Sequence, residues 1–349
     1  MKGRGTSSKV DARFLAHRRQ EFDDGWTPEP EAETVPTEIF QETARSIITH
    51  NQSPDIPFET SINPYRGCEH GCVYCYARPS HAYMDLSPGL DFETKIFAKT
   101  NAAELLRTEL GKPRYVCKPI AMGTNTDPYQ PTERQLHVTR DIIQVLHDCR
   151  HPLSVVTKSW LIERDLDLLQ PMAEQGLVRV FLSITSLRHD LSRRLEPRAA
   201  SPSRRLKALD TLNRAGVPTG VMFAPVIPFI NDAEMEAVLE QAAAAGAKSA
   251  GYVILRLPNE VKQLFREWLE THEPGKTKHV FSIIRDLRSG RENDPEYFTR
   301  MRGQGVYAKL MQNRFRNACR KFGLNNDRGE LVTRLFKPPA VADRQQSLF

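Results

Sequence analysis

The stretch NPYRGCEHGCVYCY, residues 63–76, carries three cysteines in the spacing C-x3-C-x2-C. Cys68, Cys72 and Cys75 cannot pair among themselves without leaving one thiol over, and six cysteines in 349 residues are too few for a disulfide-stapled scaffold. Soft thiolates favour zinc, copper(I) or iron–sulfur. Three thiolates on one loop can hold an iron–sulfur cluster and leave one iron without a protein ligand, and an open metal position is where chemistry takes place.

Zinc is the alternative metal for this loop. Zinc would need a fourth ligand, and both His70 and His81 lie close by in the sequence. Neither histidine stands at a common zinc-finger spacing, and no second C-x2-C follows. On this alternative, the chain would be a zinc-bound nucleic-acid-binding module without catalysis.

Outward from this loop, apolar runs that are typical of strands alternate with helical patterns. Six β–α repeats predict an α/β fold, a partial (β/α)6 TIM-type barrel with a parallel sheet and helices on one side. The predicted strands are 60–63, 120–123, 153–157, 178–184, 219–224 and 249–254, and the predicted helices are 104–110, 132–149, 162–175, 202–215 and 233–245.

Polar candidates follow the predicted strands at one end. The cysteine loop follows the first strand, and active sites of parallel barrels form at the carboxyl ends of their strands. We therefore expect one site that includes the groups following the later strands: Thr124, Asn125 and Asp127, then Lys158, Thr185, Pro225–Pro228 and Arg256.

The ends of the chain differ from the barrel segment. Residues 1–45 are predicted to be mostly disordered or a wrapping extension, with a short helix around 38–48, and residues 46–258 form the barrel. Residues 259–340 are predicted to be a helical C-terminal extension with helices at 261–271, 280–287, 295–302 and 305–322. Residues 341–349 are predicted to be a flexible tail.

The cysteine motif, with Tyr74 just before its last cysteine, resembles the signature of radical S-adenosylmethionine (radical SAM) enzymes. Further motifs between residues 58 and 260 are similar to the spore photoproduct lyase-like subgroup: NPYRGC at 63–68, GTNTDPYQPTE at 123–133, TKS at 157–159, RLEP at 194–197 and APVIP at 224–228. The resemblance implies a [4Fe–4S] cluster on the three cysteines, with S-adenosylmethionine on the fourth iron. It also implies reductive cleavage to a 5′-deoxyadenosyl radical, with an electron donor such as flavodoxin or ferredoxin.

The resemblance assigns cofactor contacts to the strand ends. Tyr74 would pack beside the cluster and adenine, the Tyr76 backbone would bind adenine, and 122–125 would bind the methionine amino group without the family's paired glycines. Further candidates would hold ribose, the methionine carboxylate or adenine: Lys158, Ser183, Thr185, Glu196, Arg198 and Val226. For Glu196 and Arg198, a structural ion pair between the two is the competing interpretation.

The group that quenches the product radical is less defined. The resemblance implies a cysteine, but Cys117 and Cys149 fall at the far end of the predicted barrel and Cys319 falls in the C-terminal helices. Tyr129 and Tyr252 are the candidate substitutes. This departure leaves the literal lyase reaction open.

Charge and hydropathy indicate the setting. The formal net charge is +6, with basic residues concentrated in 1–19 and beyond 260, as suits a polyanion such as nucleic acid, although an ordinary solvated surface gives the same pattern. No apolar run approaches 18 residues and no secretory signal is present, so we expect a cytoplasmic protein without a membrane span. The predicted substrate is nucleic acid, with DNA repair as one role, and a protein or peptide substrate is the alternative.

The last residues, RQQSLF at 344–349, resemble the pentapeptide by which bacterial polymerases and repair proteins bind the sliding clamp. Leu348 and Phe349 would enter an apolar pocket while Gln345 binds at its rim. A frayed tail is the competing interpretation.

Overall fold

The strands form two sheets in the computed structural model, which describes residues 3–6, 8–14, 35–326 and 329–339. The strands are β1 (Glu38–Glu42), β2 (Ile48–His50), β3 (Thr60–Ile62), β4 (Tyr65–Arg66), β5 (Lys95–Lys99), β6 (Ile120–Met122), β7 (Leu153–Thr157), β8 (Val178–Ser183), β9 (Thr219–Val226) and β10 (Ser249–Ile254). The helices are α1 (Asp91–Thr94), α2 (Ala102–Leu110), α3 (Glu133–Leu136), α4 (Val138–Asp148), α5 (Leu166–Glu174), α6 (His189–Leu195), α7 (Pro202–Arg214), α8 (Met235–Ala244), α9 (Val261–His272), α10 (Thr277–Leu287) and α11 (Gly305–Lys321). Short 3-10 helices span Arg78–Met84, Trp160–Asp165, Asp232–Glu234 and Pro274–Lys276.

The larger sheet has the order β10-β9-β8-β7-β6-β3-β2. In this sheet, β3, β6, β7, β8, β9 and β10 pair in parallel with their neighbours. Strand β2 pairs antiparallel with β3. Each parallel crossover passes through helical structure that packs its apolar side against the sheet, as Ile142, Ile143 and Leu146 of α4 do. The predicted partial barrel and the places of all six strands are confirmed.

The smaller sheet has the order β1-β5-β4 and lies beside the cysteine loop. The short helix expected around 38–48 is wrong, because 38–42 is the strand β1, paired in parallel with β5. Phe40 stacks on Phe97 with ring centroids 5.0 Å apart. This cross-strand packing outweighs the local helical preference of the segment.

The C-terminal extension is helical at α9, α10 and α11, but the predicted helix 295–302 is wrong. Asp294 accepts hydrogen bonds from the Glu296 amide at 2.9 Å and the Thr299 hydroxyl at 2.6 Å, which closes a turn. Phe298 has a φ of +66°, in the left-handed region, where an α-helix cannot continue. The segment therefore forms turns.

Strand β10 is the edge of the larger sheet, and residues after α10 cover it. The Asn325 side chain accepts a hydrogen bond from the Ala250 amide at 3.0 Å and donates one to the Ala250 carbonyl at 3.1 Å. The Ile254 amide donates to the Met301 carbonyl at 2.9 Å. These bonds occupy edge groups that would otherwise be free to pair with another strand.

Two further findings concern the chain as a whole. No helix within the described ranges is long and apolar enough to cross a membrane. The division of the chain at residues 45, 258 and 340 stays a prediction, and the tail peptide at 345–349 lies outside the described residues.

Candidate functional site

The cysteine loop follows β3 and β4, at the carboxyl end of the barrel strands. The Cys68 amide donates to the Phe92 carbonyl at 2.9 Å and the Cys75 amide to the Cys72 carbonyl at 3.2 Å, so backbone bonds hold the loop in shape. Gly67 has a φ of +77°, and a Cβ there would lie 2.9 Å from the Lys95 carbonyl oxygen. The tight turn into the loop therefore requires glycine.

The donor set of three thiolates on one loop fits an iron–sulfur cluster. Cys68, Cys72 and Cys75 form no disulfide; Cys68 and Cys72 are buried and Cys75 is half-buried. Within the described residues, no three His, Cys, Asp or Glu side chains are placed to share one metal ion. A cluster separates its ligands because each thiolate binds a different iron, whereas tetrahedral zinc gathers them around one atom. Cys68, Cys72 and Cys75 would hold the cluster.

The N-terminal segment 3–6 packs on this loop through the buried Glu93. Glu93 forms a 2.6 Å ion pair with Arg78 and accepts the amides of Gly5 at 2.9 Å and Thr6 at 3.1 Å. A Cβ on Gly5 would lie 1.7 Å from the Gly71 carbonyl oxygen. The segment 3–6, which we call the strap, therefore lies directly against the backbone between two of the cysteines.

Tyr74, Thr185 and Glu196 form one buried network behind the loop. Tyr74 donates its hydroxyl to Glu196, and the Thr185 hydroxyl reaches the same carboxylate at 2.6 Å. Burial and then the charge of Glu196 raise the pKa of Tyr74 well above its ordinary value, so the phenol keeps its proton and remains a donor. The structure thus brings three predicted site residues together.

Arg205 completes this network from α7. It forms an ion pair with Glu196 and donates to the Ser183 carbonyl at 2.8 Å. Burial alone would raise the pKa of Glu196, but the charges of Arg205 and Lys158 outweigh it and lower the pKa to about 2. The carboxylate is therefore ionised and its oxygens are occupied within the protein.

Lys158 follows β7 and faces the cysteine loop. Its Nζ lies 6.0 Å from the centroid of the Tyr74 ring. Burial lowers the pKa of Lys158, but the negative charges of Cys72 and Glu196 more than compensate, so the pKa lies above its ordinary value. A permanent positive charge stands beside the ligand loop, where it suits an anionic group such as a carboxylate.

Asp127 ties the loops after β6 and β7 together. Its carboxylate accepts the Thr157 hydroxyl at 2.7 Å and the Lys158 amide at 2.7 Å, and His70 Nδ1 lies 3.4 Å away. Burial opposes ionisation, but His70 and these donors lower the pKa of Asp127. The geometry fits a positioning role for Asp127 rather than direct contact with a cofactor.

The loop after β6 also meets the cysteine loop at the mouth of the barrel. The Tyr76 hydroxyl donates to the Thr124 carbonyl, and the Asn125 amide donates to the Asn63 side chain at 3.1 Å. The Arg256 guanidinium lies over the Tyr76 ring, 5.4 Å from its centroid. Tyr76 remains 45% exposed, so the ring and the guanidinium form a surface beside Cys75 that a substrate can reach.

The remaining predicted binding residues are Arg198, Ser183 and Val226. Arg198 pairs with Glu69 at 2.9 Å instead of with Glu196, so an ion pair exists but joins different partners from those expected. Ser183, at the end of β8, is buried, and its carbonyl accepts a hydrogen bond from Arg205. Val226 is fully buried at the end of β9.

The two tyrosines proposed as radical quenchers are not brought to the cysteine loop. Tyr129 is fully buried and donates its hydroxyl to Asp165 at 2.9 Å. Tyr252 packs against Phe315 of α11, with centroids 4.7 Å apart, on the outer side of β10. Nearness to a strand end in sequence does not fix the direction of a side chain, so a radical-quenching role for either tyrosine stays a prediction.

Sequence reasoning missed Arg205, Glu93 and the strap. Arg205 stands nine residues after Glu196, among several arginines of one helix, and no spacing rule marks it as a partner. The strap contacts depend on glycine at position 5, whose close approach to Gly71 becomes visible only in three dimensions.

The fold and the cysteine loop define an enzyme class that holds an iron–sulfur cluster at the mouth of a partial barrel. The family model described as the Radical SAM superfamily matches residues 62–242, more than half of the chain. The chain belongs to the Radical SAM superfamily, is an enzyme of that type, and takes S-adenosylmethionine, an iron–sulfur cluster and a reductant.

The chain is also similar to two uncharacterised proteins and to one solved structure. An uncharacterised protein of Mycobacterium tuberculosis (strain H37Rv) is 38% identical over 245 residues, which cover 69% of this chain and 71% of the relative. An uncharacterised protein of Methanocaldococcus jannaschii is 30% identical over 197 residues, 56% of this chain and 71% of the relative. Spore photoproduct lyase complexed with dinucleoside spore photoproduct aligns with a TM-score of 0.61 at 17% identity, over 84% of this chain and 86% of that one, which supports the fold.

Proposed function

We propose that this enzyme carries a [4Fe–4S] cluster and uses the 5′-deoxyadenosyl radical to abstract hydrogen from nucleic acid, with DNA repair as its role. When bound, the cluster supplies the electron that cleaves S-adenosylmethionine. Cys68, Cys72 and Cys75 would hold it, and a small electron carrier such as flavodoxin or ferredoxin would serve as the reductant.

The protein's own residues prepare the site for this chemistry. Glu196 and Arg205 hold Tyr74 against the loop, and Lys158 offers a positive charge to the methionine carboxylate. The Thr185 hydroxyl donates to the Glu196 carboxylate, and its oxygen is available to accept a hydrogen bond from a ribose hydroxyl. These groups orient S-adenosylmethionine and do not themselves change oxidation state.

The observation that carries the choice of nucleic acid is the pair formed by Tyr76 and Arg256. An exposed ring beneath a guanidinium, next to the ligand Cys75, is suited to stack a base and to attract a phosphate. The fold likeness to spore photoproduct lyase complexed with dinucleoside spore photoproduct supports the same substrate class.

The test is anaerobic cleavage of S-adenosylmethionine, followed as 5′-deoxyadenosine by mass spectrometry. We expect ultraviolet-irradiated DNA to stimulate cleavage above the level without substrate, and Tyr76→Ala to lose the stimulation. Stimulation by a peptide mixture, with no response to irradiated or intact nucleic acid, would assign the enzyme to protein or peptide modification instead.

The peptide containing Gln345, Leu348 and Phe349, which lies outside the described residues, is proposed to bind the bacterial sliding clamp. Its sequence pattern is the support for this proposal. Titration of clamp with the full-length protein and with a variant lacking residues 345–349 tests it, and equal binding by both would refute it.

A further inference from the structure

A cavity of about 490 Å³ lies between the edge strand β10 and helix α11, on the outer side of the barrel. Its floor includes Tyr252, Phe315 and Leu324, and its rim carries Arg302, Arg316 and Arg320. The three arginines are exposed, whereas Tyr252 and Leu324 are buried. The cavity thus combines an apolar floor with a rim of one charge.

Within the part of the chain that the structure describes, no carboxylate neutralises the rim charges. Among the described residues, no carboxylate lies within ion-pair distance of Arg302 or Arg320, and Arg316 donates to the Asn313 side chain at 2.6 Å. Helix α11 contains five Lys or Arg and no Asp or Glu, and of these Arg314 is paired with Glu236. Guanidinium groups in this state are suited to bind phosphate.

The cavity is connected to the barrel mouth by a short segment. Arg302 lies over the Tyr252 ring, 3.9 Å from its centroid. In the neighbouring residue Met301, Sδ lies 3.8 Å from Arg256 Nη1. Arg256 in turn covers Tyr76 beside the cysteine loop. Positive groups therefore run from α11 to the site of the chemistry.

An added peptide strand fits this edge poorly. Asn325 occupies the backbone amide and carbonyl of Ala250, and the Met301 carbonyl occupies the Ile254 amide. Pairing of a new strand along β10 would break these bonds. A ligand of this cavity would therefore be recognised by the arginines of the rim and not by pairing with strand β10.

We infer that the cavity rimmed by Arg302, Arg316 and Arg320 binds the phosphodiester backbone of the nucleic acid substrate and positions the strand whose nucleotide enters the mouth beside Tyr76. This inference rests on the proposed function, since it requires nucleic acid to be the substrate. It adds a surface outside the barrel and names the phosphate as the group recognised.

Binding of a fluorescein-labelled single-stranded 20-mer, followed by anisotropy without reductant, tests the inference. Arg302→Gln/Arg316→Gln/Arg320→Gln is expected to bind about 10 to 100 times more weakly than wild type at low salt. Each phosphate contact on a single strand contributes about 0.7 to the dependence of log K on log salt, so the slope should fall by about 2.

Two further variants make the result specific. Arg114→Gln/Lys207→Gln/Arg214→Gln removes the same charge from exposed positions elsewhere and should bind as wild type does. Because Arg302 packs on Tyr252, the double variant Arg316→Gln/Arg320→Gln leaves that contact intact. It should show about two thirds of the slope change of the triple variant. Unchanged melting temperatures verify folding.

The outcomes separate the two proposals. If wild type binds the oligonucleotide and the triple rim variant binds equally well with the same salt slope, the cavity inference is wrong while the proposed function stands. If wild type binds no nucleic acid, the proposed function itself fails. Arginine-dependent binding of an acidic peptide in place of the oligonucleotide would contradict the inference and assign the cavity to a protein partner.

Discussion

At the residue scale, Glu196 is the centre of the network behind the cysteine loop. It is an ionised carboxylate held by Arg205, Thr185 and Tyr74 in a buried setting. An ion pair without water is stable only when both partners are present, because removing one leaves a buried charge uncompensated. Glu196 therefore connects the position of Tyr74 to the stability of the barrel.

Glu196→Gln is predicted to lower the free energy of unfolding by about 3–5 kcal/mol at pH 7, because Arg205 and Lys158 lose their counter-charge. Urea unfolding of the anaerobically purified protein measures this change. Glu240→Gln, at an exposed position of α8, is the matched control and should change stability by less than about 0.5 kcal/mol.

The pH dependence of the same carboxylate has a definite sign. Its folded-state pKa is about 2, below the ordinary 4.5, so its contribution is fully present above pH 4.5 and is lost as the pH falls toward 2. The loss amounts to about 3 kcal/mol. In Glu196→Gln this part of the acid destabilisation should disappear, and an identical pH profile in the two proteins would contradict the assignment.

At the element scale, the strap joins the N-terminal segment to the cysteine loop. Gly5→Ala is predicted to displace residues 3–6, because the new Cβ would lie 1.7 Å from the Gly71 carbonyl oxygen. We expect a loss of about 1–3 kcal/mol and faster hydrogen exchange at the Thr6 amide, which donates to Glu93.

The control for the strap is Gly275→Ala, where nothing lies within 4 Å of the added Cβ. This variant should leave both stability and exchange unchanged. Equal exchange at Thr6 in Gly5→Ala and wild type would show that the strap does not depend on the contact with Gly71.

The edge of β10 offers a second test at this scale. Asn325→Gly removes two side-chain hydrogen bonds to Ala250 but tolerates the φ of +64° at this position. We predict a loss of about 1–3 kcal/mol in thermal or urea unfolding. Asn326→Gly, at the neighbouring exposed position, should cost clearly less, and an equal cost for the two would refute the protective role of Asn325.

At the scale of the whole molecule, the sequence predicts the barrel well because each β–α repeat carries its own periodic pattern. The cysteine loop can be predicted equally well, since its three thiol ligands lie close together in the sequence. The partners of Glu196 and Arg198 are not readable, because Arg205 and Glu69 come from elements that only the tertiary fold brings near. The strand β1 fails for a similar reason, since its pairing with β5 overrides local propensity.

The arrangement of the whole chain places chemistry and proposed recognition on connected surfaces. The cysteine loop, the strap and the mouth pair Tyr76–Arg256 lie at one end of the barrel, and Met301 links that end to the cavity under α11. All of these assignments depend on the three thiolates holding a cluster with an open iron.

The most direct measurement is the iron, zinc and acid-labile sulfide content of anaerobically reconstituted protein. We predict that wild type contains iron and sulfide in a ratio of about one to one. Cys117→Ala should contain as much of both as wild type, because Cys117 lies before β6 at the opposite end of the barrel. Cys72→Ala should lose both. Stoichiometric zinc without sulfide in the wild-type protein would contradict the account.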